Sequence, residues 1–343
     1  MPSKPSVASP KRRARILPPP AHLISLARNP IPSGAVVGTF AGHEGTVLRY
    51  ARWDATRGPR RGTCCVFTGR GEFIEKYFEV IADLRRRGYA VAMHDWRGQG
   101  ASARALPNPR KGQVRRFAEY DADLTRFMKD VVLPDCPPPY IALAHSMGGN
   151  ILLRNATIQG SWFDRMVLTA PMLAFADEKV PLPQPVARFL ARTFGHGPTG
   201  HLYVLGGSDM PEEAKRFEGN ALTSDPERFE RNKQIIETAP ALALGSPTIS
   251  WLRAAYQSCH EVTRPEFSLR VRVPLLLVAA GQDRIVSSTA TEELASRLKI
   301  GARVVIGGAR HEILQERDEV RQQFWSTFDA YVIGDRAASL RVG

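Results

Sequence analysis

Cysteine is scarce in this chain of 343 residues: Cys64, Cys65, Cys136 and Cys259 are the full set. Two are adjacent inside an apolar run and none has zinc-ligand spacing. That sets aside a disulfide scaffold and a structural zinc site, and fits free thiols in a reducing compartment. Long hydrophobic runs are also lacking, since no stretch reaches the roughly 18 uninterrupted apolar residues that a membrane-spanning helix requires. The basic N-terminal segment has no apolar core of the secretory kind, so export by that route is not expected, and its prolines break the pattern of a transit peptide. Acids are missing at the start, where Lys4, Lys11, Arg12, Arg13, Arg15 and Arg28 all precede the first of them, Glu44. No aromatic residue interleaves these charges, which leaves a base-stacking surface without support, and no nucleic-acid partner is expected. Gly69-Arg70-Gly71 and Gly98-Gln99-Gly100 lack the third glycine of a dinucleotide fingerprint, and no His/Asp spacing suggests a metal. Neither a cofactor nor a metal ion is expected.

What is present is the composition of a soluble globular protein, 43% hydrophobic and 24% charged, too apolar for a disordered chain. The formal net charge is +13, and the six early basic residues supply nearly half of it. Residues 1–33 are therefore expected to be a disordered, solubilising basic tail that is also capable of weak contact with an anionic membrane surface.

From about Gly34 the pattern becomes regular. Residues 34–40 and 45–52 read as two strands of a hairpin around His43-Glu44-Gly45. Strands are expected at 63–68, 89–94, 141–144, 167–170, 274–280 and 302–306. Helices are expected at 72–87, 116–132, 147–157, 288–299 and after Ile313, because apolar residues such as Phe73, Tyr77, Val80, Ile81 and Leu84 recur at the helical period. Strands alternating with helices predict an α/β fold with a mostly parallel central sheet flanked by helices. Between Pro171 and the strand at 274 the rhythm breaks into short helical pieces. Residues 173–268 are accordingly expected to form a helical cap (lid) inserted into a core made of 34–172 and 269–343.

The chemistry centres on Ala144-His145-Ser146-Met147-Gly148-Gly149, which follows an apolar strand and opens a helix. A nucleophile elbow needs that context, with small residues two before and two after the serine so that strand and helix cross closely. Read by itself, Ser146 would also serve as a helix N-cap. A serine is inert at neutral pH without a base that is held by an acid. Here Asp283 follows the 274–280 strand and His311 follows the 302–306 strand, in the order Ser, Asp, His that this architecture uses. Singly, Asp283 reads equally well as a turn residue. An oxyanion hole needs two backbone N–H groups, for which the candidates are Met147, after the nucleophile, and Arg70, in the loop after the 63–68 strand.

Four segments carry a family likeness: Gly71-Glu72-Phe73-Ile74-Glu75-Lys76-Tyr77, Asp95-Trp96-Arg97-Gly98-Gln99-Gly100-Ala101-Ser102, His145-Ser146-Met147-Gly148-Gly149 and Gly308-Ala309-Arg310-His311-Glu312-Ile313-Leu314. Together with Gly245–Leu252 of the cap they resemble the bacterial lysophospholipase and monoacylglycerol lipase branch of the α/β-hydrolases, from about Gly34 to the last helix. The resemblance implies the α/β-hydrolase fold and a serine esterase with Ser146, Asp283 and His311 as its triad. It implies a single-chain acyl lipid as substrate. The free thiols and the missing secretory core predict a cytoplasmic location, and the basic tail leaves open a peripheral contact with the inner membrane face. Two positions depart from the family pattern: Thr68-Gly69 stands where monoacylglycerol lipases carry His-Gly, and Ala144 stands where Gly is usual. The lysophospholipase side fits better. The alternatives are a proline-releasing serine aminopeptidase, for which Glu212, Glu213 and Glu218 would be the amine-binding acids, and a silent binding module that keeps only the fold. Acyl length, head group, other substrate-binding residues and oligomeric state are not legible.

Overall fold

The computed structural model of the chain describes residues 22–56, 58–179 and 182–334. Eight strands form one sheet: β1 (Val36–Ala41), β2 (Val47–Trp53), β3 (Gly62–Phe67), β4 (Tyr89–His94), β5 (Tyr140–His145), β6 (Phe163–Thr169), β7 (Leu275–Ala280) and β8 (Gly301–Ile306). Their spatial order is β1-β2-β4-β3-β5-β6-β7-β8. β1 and β2 pair antiparallel across the expected hairpin, β2 pairs antiparallel with β4, and every later pairing is parallel. β3, β4 and β7 are buried along their whole length because helices cover both faces, which is why they read as apolar runs rather than as alternating patterns. Cys64 and Cys65 lie inside β3 as buried free thiols.

The helices are α1 (Phe78–Arg86), α2 (Ala118–Phe127), α3 (Met147–Asn155), α4 (Gln184–Phe194), α5 (Pro226–Thr238), α6 (Ile249–Val262), α7 (Pro265–Arg270), α8 (Ser288–Arg297) and α9 (Asp318–Asp329), with shorter turns between them. α1 is shorter than its periodicity suggests, since Ile74–Tyr77 forms a 3-10 turn ahead of it. α2 passes into a π-helical turn at Met128–Val132 before the prolines end it. β6 begins four residues earlier than expected: Asp164 and Arg165 interrupt its apolar pattern, yet the backbone there pairs with β5, and Arg165 Nη1 donates to Tyr331 O at 2.6 Å.

Residues 22–33 depart from the expectation of a disordered tail, for they are pinned to the core. Arg49 Nη1 donates to His22 O, Asn29 Nδ2 to Glu75 O and Trp53 Nε1 to Pro32 O, at 2.9, 2.9 and 3.0 Å. Lys4, Lys11, Arg12, Arg13 and Arg15 lie outside the described residues. Among the described residues no helix is long and apolar enough to cross a membrane.

Between β6 and β7 the described chain is helical, with no strand of the sheet. Its two ends differ in attachment. Trp251, Ala254, Ala255, Cys259, Val262 and Phe267 of α6 and α7 belong to the same apolar core as the sheet, whereas Ala187 and Ala191 of α4 pack in a small separate cluster with Tyr256. The cap expected over 173–268 thus includes two helices that are built into the core.

Candidate active site

In this sheet the chain leaves β3 toward β4 on one side and β5 on the other, so the crevice at the carboxyl ends of β3 and β5 is the topological switch point, where open α/β sheets bind ligands. The Thr68–Gly71 loop follows β3 and Ser146 follows β5, so both reach this crevice.

Ser146 has φ 52° and ψ −114°, left-handed backbone that a non-glycine residue adopts only when its surroundings enforce it. The enforcement is local. A Cβ on Gly148 would stand 2.6 Å from Phe67 O and 2.7 Å from Thr68 O, so only glycine lets α3 start this close to β3. Ser146 N–H donates to Thr169 O, and Met172 N–H donates back to Ser146 O. No side-chain cap bond is made by Ser146, which leaves the hydroxyl for other work.

That hydroxyl lies 3.0 Å from His311 Nε2, and His311 Nδ1 lies 2.7 Å from Asp283 Oδ2. Asp283 Oδ1 accepts from the backbone N–H groups of Ile285 and Val286 at 2.8 and 3.0 Å. All three side chains are largely withdrawn from solvent. Burial pushes the Asp283 carboxyl up, but the His311 charge, its hydrogen bond and the two amides outweigh this and hold it below the ordinary value. Burial likewise pushes the His311 imidazolium down, and Asp283, with Glu312 and Glu72 behind it, reverses this and raises it. Neighbouring His145, with no carboxylate partner, is pushed by burial down to about 4 and is neutral, its Nδ1 3.2 Å from Thr169 O.

The loop after β3 is held by side chains that sequence patterns did not single out. Gly69 N–H donates to Glu72 Oε2 at 2.5 Å and Gly71 N–H to Gln99 Oε1 at 3.2 Å, while Gln99 Nε2 donates to Gly69 O at 2.7 Å. Between them, Arg70 N–H has no partner among the described residues, and neither has Met147 N–H at the start of α3. A Cβ on Gly69 would come within 3.2 Å of Ser146 Cβ, so this loop touches the serine.

Behind the loop lies a sealed ionic cluster. Lys76 Nζ contacts Glu312 at 2.6 Å, Glu213 at 3.2 Å and Glu72 at 3.3 Å, and Lys76 has no exposed surface. Burial would lower the Lys76 ammonium, yet the three carboxylates raise it above its ordinary value. Glu312 moves up to about 7, chiefly through burial and then through the other two acids. Charged residues within a helical apolar pattern read as a solvent face, and that is why Glu72, Lys76 and Glu312 were visible only as parts of the family segments.

Above the serine opens a cavity of about 420 Å³. Its walls are mainly apolar, with Phe175, Leu190, Phe194, Leu205, Leu252 and Val286 among them, and most of these come from the segment between β6 and β7. Trp251 packs against Phe117 and Arg70 and also lines the cavity. Among the described residues no cluster of His, Cys, Asp and Glu has the arrangement of a metal site.

Residues 58–318 match the family described as serine aminopeptidase, S33. Lysophospholipase L2 of Escherichia coli (strain K12) is 31% identical over 290 residues, covering 82% of this chain and 83% of that protein. Monoacylglycerol lipase of Mycolicibacterium smegmatis is 24% identical over 284 residues, covering 82% and 91%. Among solved structures, a soluble variant of monoglyceride lipase from Saccharomyces cerevisiae superposes with a TM-score of 0.69 at 18% identity, over 88% of this chain and 96% of that one. A carboxyl esterase from Bacillus coagulans gives 0.68 at 21%, over 88% and 99%. The fold is the α/β-hydrolase fold.

Proposed function

The chain belongs to the serine aminopeptidase S33 family of α/β-hydrolases, and from that membership we propose that it is a serine carboxylic-ester hydrolase, a lysophospholipase that releases the fatty acid from single-chain phospholipids. The observation that carries the reading is the chain of hydrogen-bonding distances from Ser146 through His311 to Asp283 on the floor of an apolar cavity. His311 Nε2 takes the proton of Ser146 Oγ as the oxygen attacks the ester carbonyl. Met147 and Arg70 N–H groups hold the resulting oxyanion. Collapse of the tetrahedral intermediate breaks the bond to the glycerol oxygen, which leaves with the proton from His311. Water, deprotonated by the same imidazole, then frees the acid and restores Ser146. Asp283 orients the ring and stabilises its cation in both halves.

The apolar cavity suits one acyl chain, and the relatives named lysophospholipase and monoacylglycerol lipase support a single-chain lipid. The family description also names an aminopeptidase, whose substrate amine would call for free acids. Here Glu213 is engaged by Lys76, Glu212 by Lys215, and Glu218 is exposed and does not line the cavity, which favours the esterase. The segment between β6 and β7 exposes Phe189 (65%), Leu202 (55%) and Leu205 (71%), the last of which also lines the cavity, an apolar surface suited to collecting lipid from a membrane. The test is a substrate screen with purified protein: lysophospholipids, monoacylglycerols, short p-nitrophenyl esters and proline arylamides. The reading expects lysophospholipids to give the highest kcat/KM. Preferred cleavage of the arylamides, or no turnover of any ester, would contradict it.

A further inference from the structure

Arg70 carries an unmatched charge into the cavity. Its guanidinium lies 5.0 Å from the ring centroid of Trp251, and Nη2 donates to Gly245 O at 2.8 Å. Both partners belong to the cap, and neither carries a charge. Nε is buried without an acceptor, and among the described residues Nη1 makes no hydrogen bond and no carboxylate pairs with this arginine. The acids that share the cavity are committed elsewhere: Glu72, Glu213 and Glu312 contact Lys76, and Glu212 contacts Lys215 at 3.0 Å. Burial lowers the guanidinium to about 10, and Tyr120, Glu212, Tyr203 and Glu213 only partly restore it, so it remains a cation at neutral pH in need of a counter-charge.

Its position says what that counter-charge is. Arg70 is one residue beyond Gly69, which touches Ser146, and its own N–H is the proposed oxyanion donor. The side chain therefore starts beside the reacting carbonyl. With the acyl chain in the apolar part of the cavity, the glycerol and its substituent must leave the ester toward another wall. In a lysophospholipid three carbons separate the ester oxygen from the phosphate oxygen, a span an arginine rooted beside the carbonyl can bridge. The planar guanidinium suits two oxygens of a phosphate, and the Trp251 face with Gly245 O fixes its plane before substrate arrives. We propose that the Arg70 side chain, through Nη1 and Nε, receives the headgroup phosphate of the substrate and makes the site selective for phosphate-bearing single-chain lipids over neutral monoacylglycerols. This deepens the lysophospholipase reading and rests on it.

The test compares 1-palmitoyl lysophosphatidylcholine with 1-palmitoylglycerol, which share an acyl chain, using the full chain and its Arg70→Ala and Arg70→Lys variants. Both substitutions keep the backbone N–H. In Arg70→Ala the ratio of the two kcat/KM values should fall about ten- to a hundredfold, the worth of a charge-assisted hydrogen bond, through KM more than kcat. Arg70→Lys should recover part of it. An unchanged ratio, with both substrates losing equally, would overturn the proposal and leave Arg70 a structural residue. A second arm measures inhibition of p-nitrophenyl butyrate hydrolysis by glycerol 3-phosphate. Inhibition that weakens at least tenfold in Arg70→Ala supports the phosphate site even if the wild-type chain proves inactive on lysophospholipids, an outcome that would fall on the lysophospholipase reading instead. Equal inhibition of the two proteins would overturn the site, and inorganic phosphate matching glycerol 3-phosphate would overturn its assignment to a headgroup.

Discussion

Lys76 Nζ lies 2.6 Å from Glu312 Oε1, and Glu312 is the residue directly after His311. A single sealed ammonium in the turn before α1 thus ties the histidine loop to the loop after β3 through Glu72, and to the segment between β6 and β7 through Glu213. Removing it would leave three carboxylates buried together. Lys76→Met should therefore cost about 3–5 kcal/mol of stability, the usual penalty for breaking a buried ion pair from one side. Urea denaturation measures it, and a variant as stable as the parent would show that the cluster is wetter than its enclosure indicates.

Glu312 also predicts a pH dependence. Its folded value, near 7, lies above the ordinary 4.5, so between those values the folded protein holds a proton that the unfolded chain has released. Stability from this group is present below the lower value and is lost as pH rises through the higher one. Glu72, held below its ordinary value, acts in the opposite sense at lower pH. Glu312→Gln, fixed neutral, should flatten the decline between about pH 5 and 7, on the order of 1–3 kcal/mol. Denaturation midpoints across that range provide the comparison.

In the proposed mechanism His311 must be neutral to accept the Ser146 proton, and Asp283 raises its imidazolium above the ordinary value. The acid limb of the kcat/KM profile should therefore lie above the ordinary imidazole value of 6.5. Asp283→Asn removes the negative charge, so the limb should move to lower pH while the maximum falls by orders of magnitude. A limb that stays in place would mean that another group governs it.

Gly148→Ala tests the elbow by sterics alone. The added methyl would meet the Phe67 and Thr68 carbonyls at under 3 Å, and neither is free to move without dragging β3. A loss of about 1–3 kcal/mol is expected, with activity falling further than stability because Ser146 is displaced. Thermal melting and ester turnover on the same preparation separate the two effects.

The exposed apolar residues between β6 and β7 predict interfacial behaviour. Phe189→Asp with Leu202→Asp should lower hydrolysis of vesicle-borne lysophospholipid several-fold more than hydrolysis of a soluble butyrate ester, since neither side chain lines the cavity. Removing residues 1–21 should reduce binding to anionic vesicles and leave binding to neutral ones as it was, in a salt-sensitive way. Liposome co-sedimentation reads both.

The parts of this molecule that were legible in sequence are those where one physical demand dominates. Buried parallel strands must be apolar throughout, so β3, β4 and β7 announce themselves, and the hairpin of β1 and β2 is marked by Glu44 and Gly45, both at positive φ. The elbow was legible because sterics allow little besides small residues around Ser146. What was hidden rests on pairings between distant charges. Arg49 meets Glu75 at 2.7 Å and Asp95 at 2.6 Å, all three buried, and no local period reveals that Glu75 faces inward. Lys76 with Glu213 and Glu312 spans 137 and 236 positions. Residues 22–33 have a tail's composition but hydrogen-bond to Arg49, Glu75 and Trp53, all of which follow them in the chain. Helices α6 and α7 follow an irregular segment, and only their packing shows that they belong to the core.

The account stands or falls on Ser146 as the nucleophile. Its most direct test is labelling of the intact protein with a fluorophosphonate, followed by peptide mass spectrometry. The serine oxygen displaces fluoride, so the adduct marks the activated hydroxyl. The account predicts one adduct, on the peptide carrying Ser146, abolished in Ser146→Ala and reduced by several orders of magnitude in rate in His311→Ala. An adduct on another serine, or ester turnover that survives in Ser146→Ala, would contradict it.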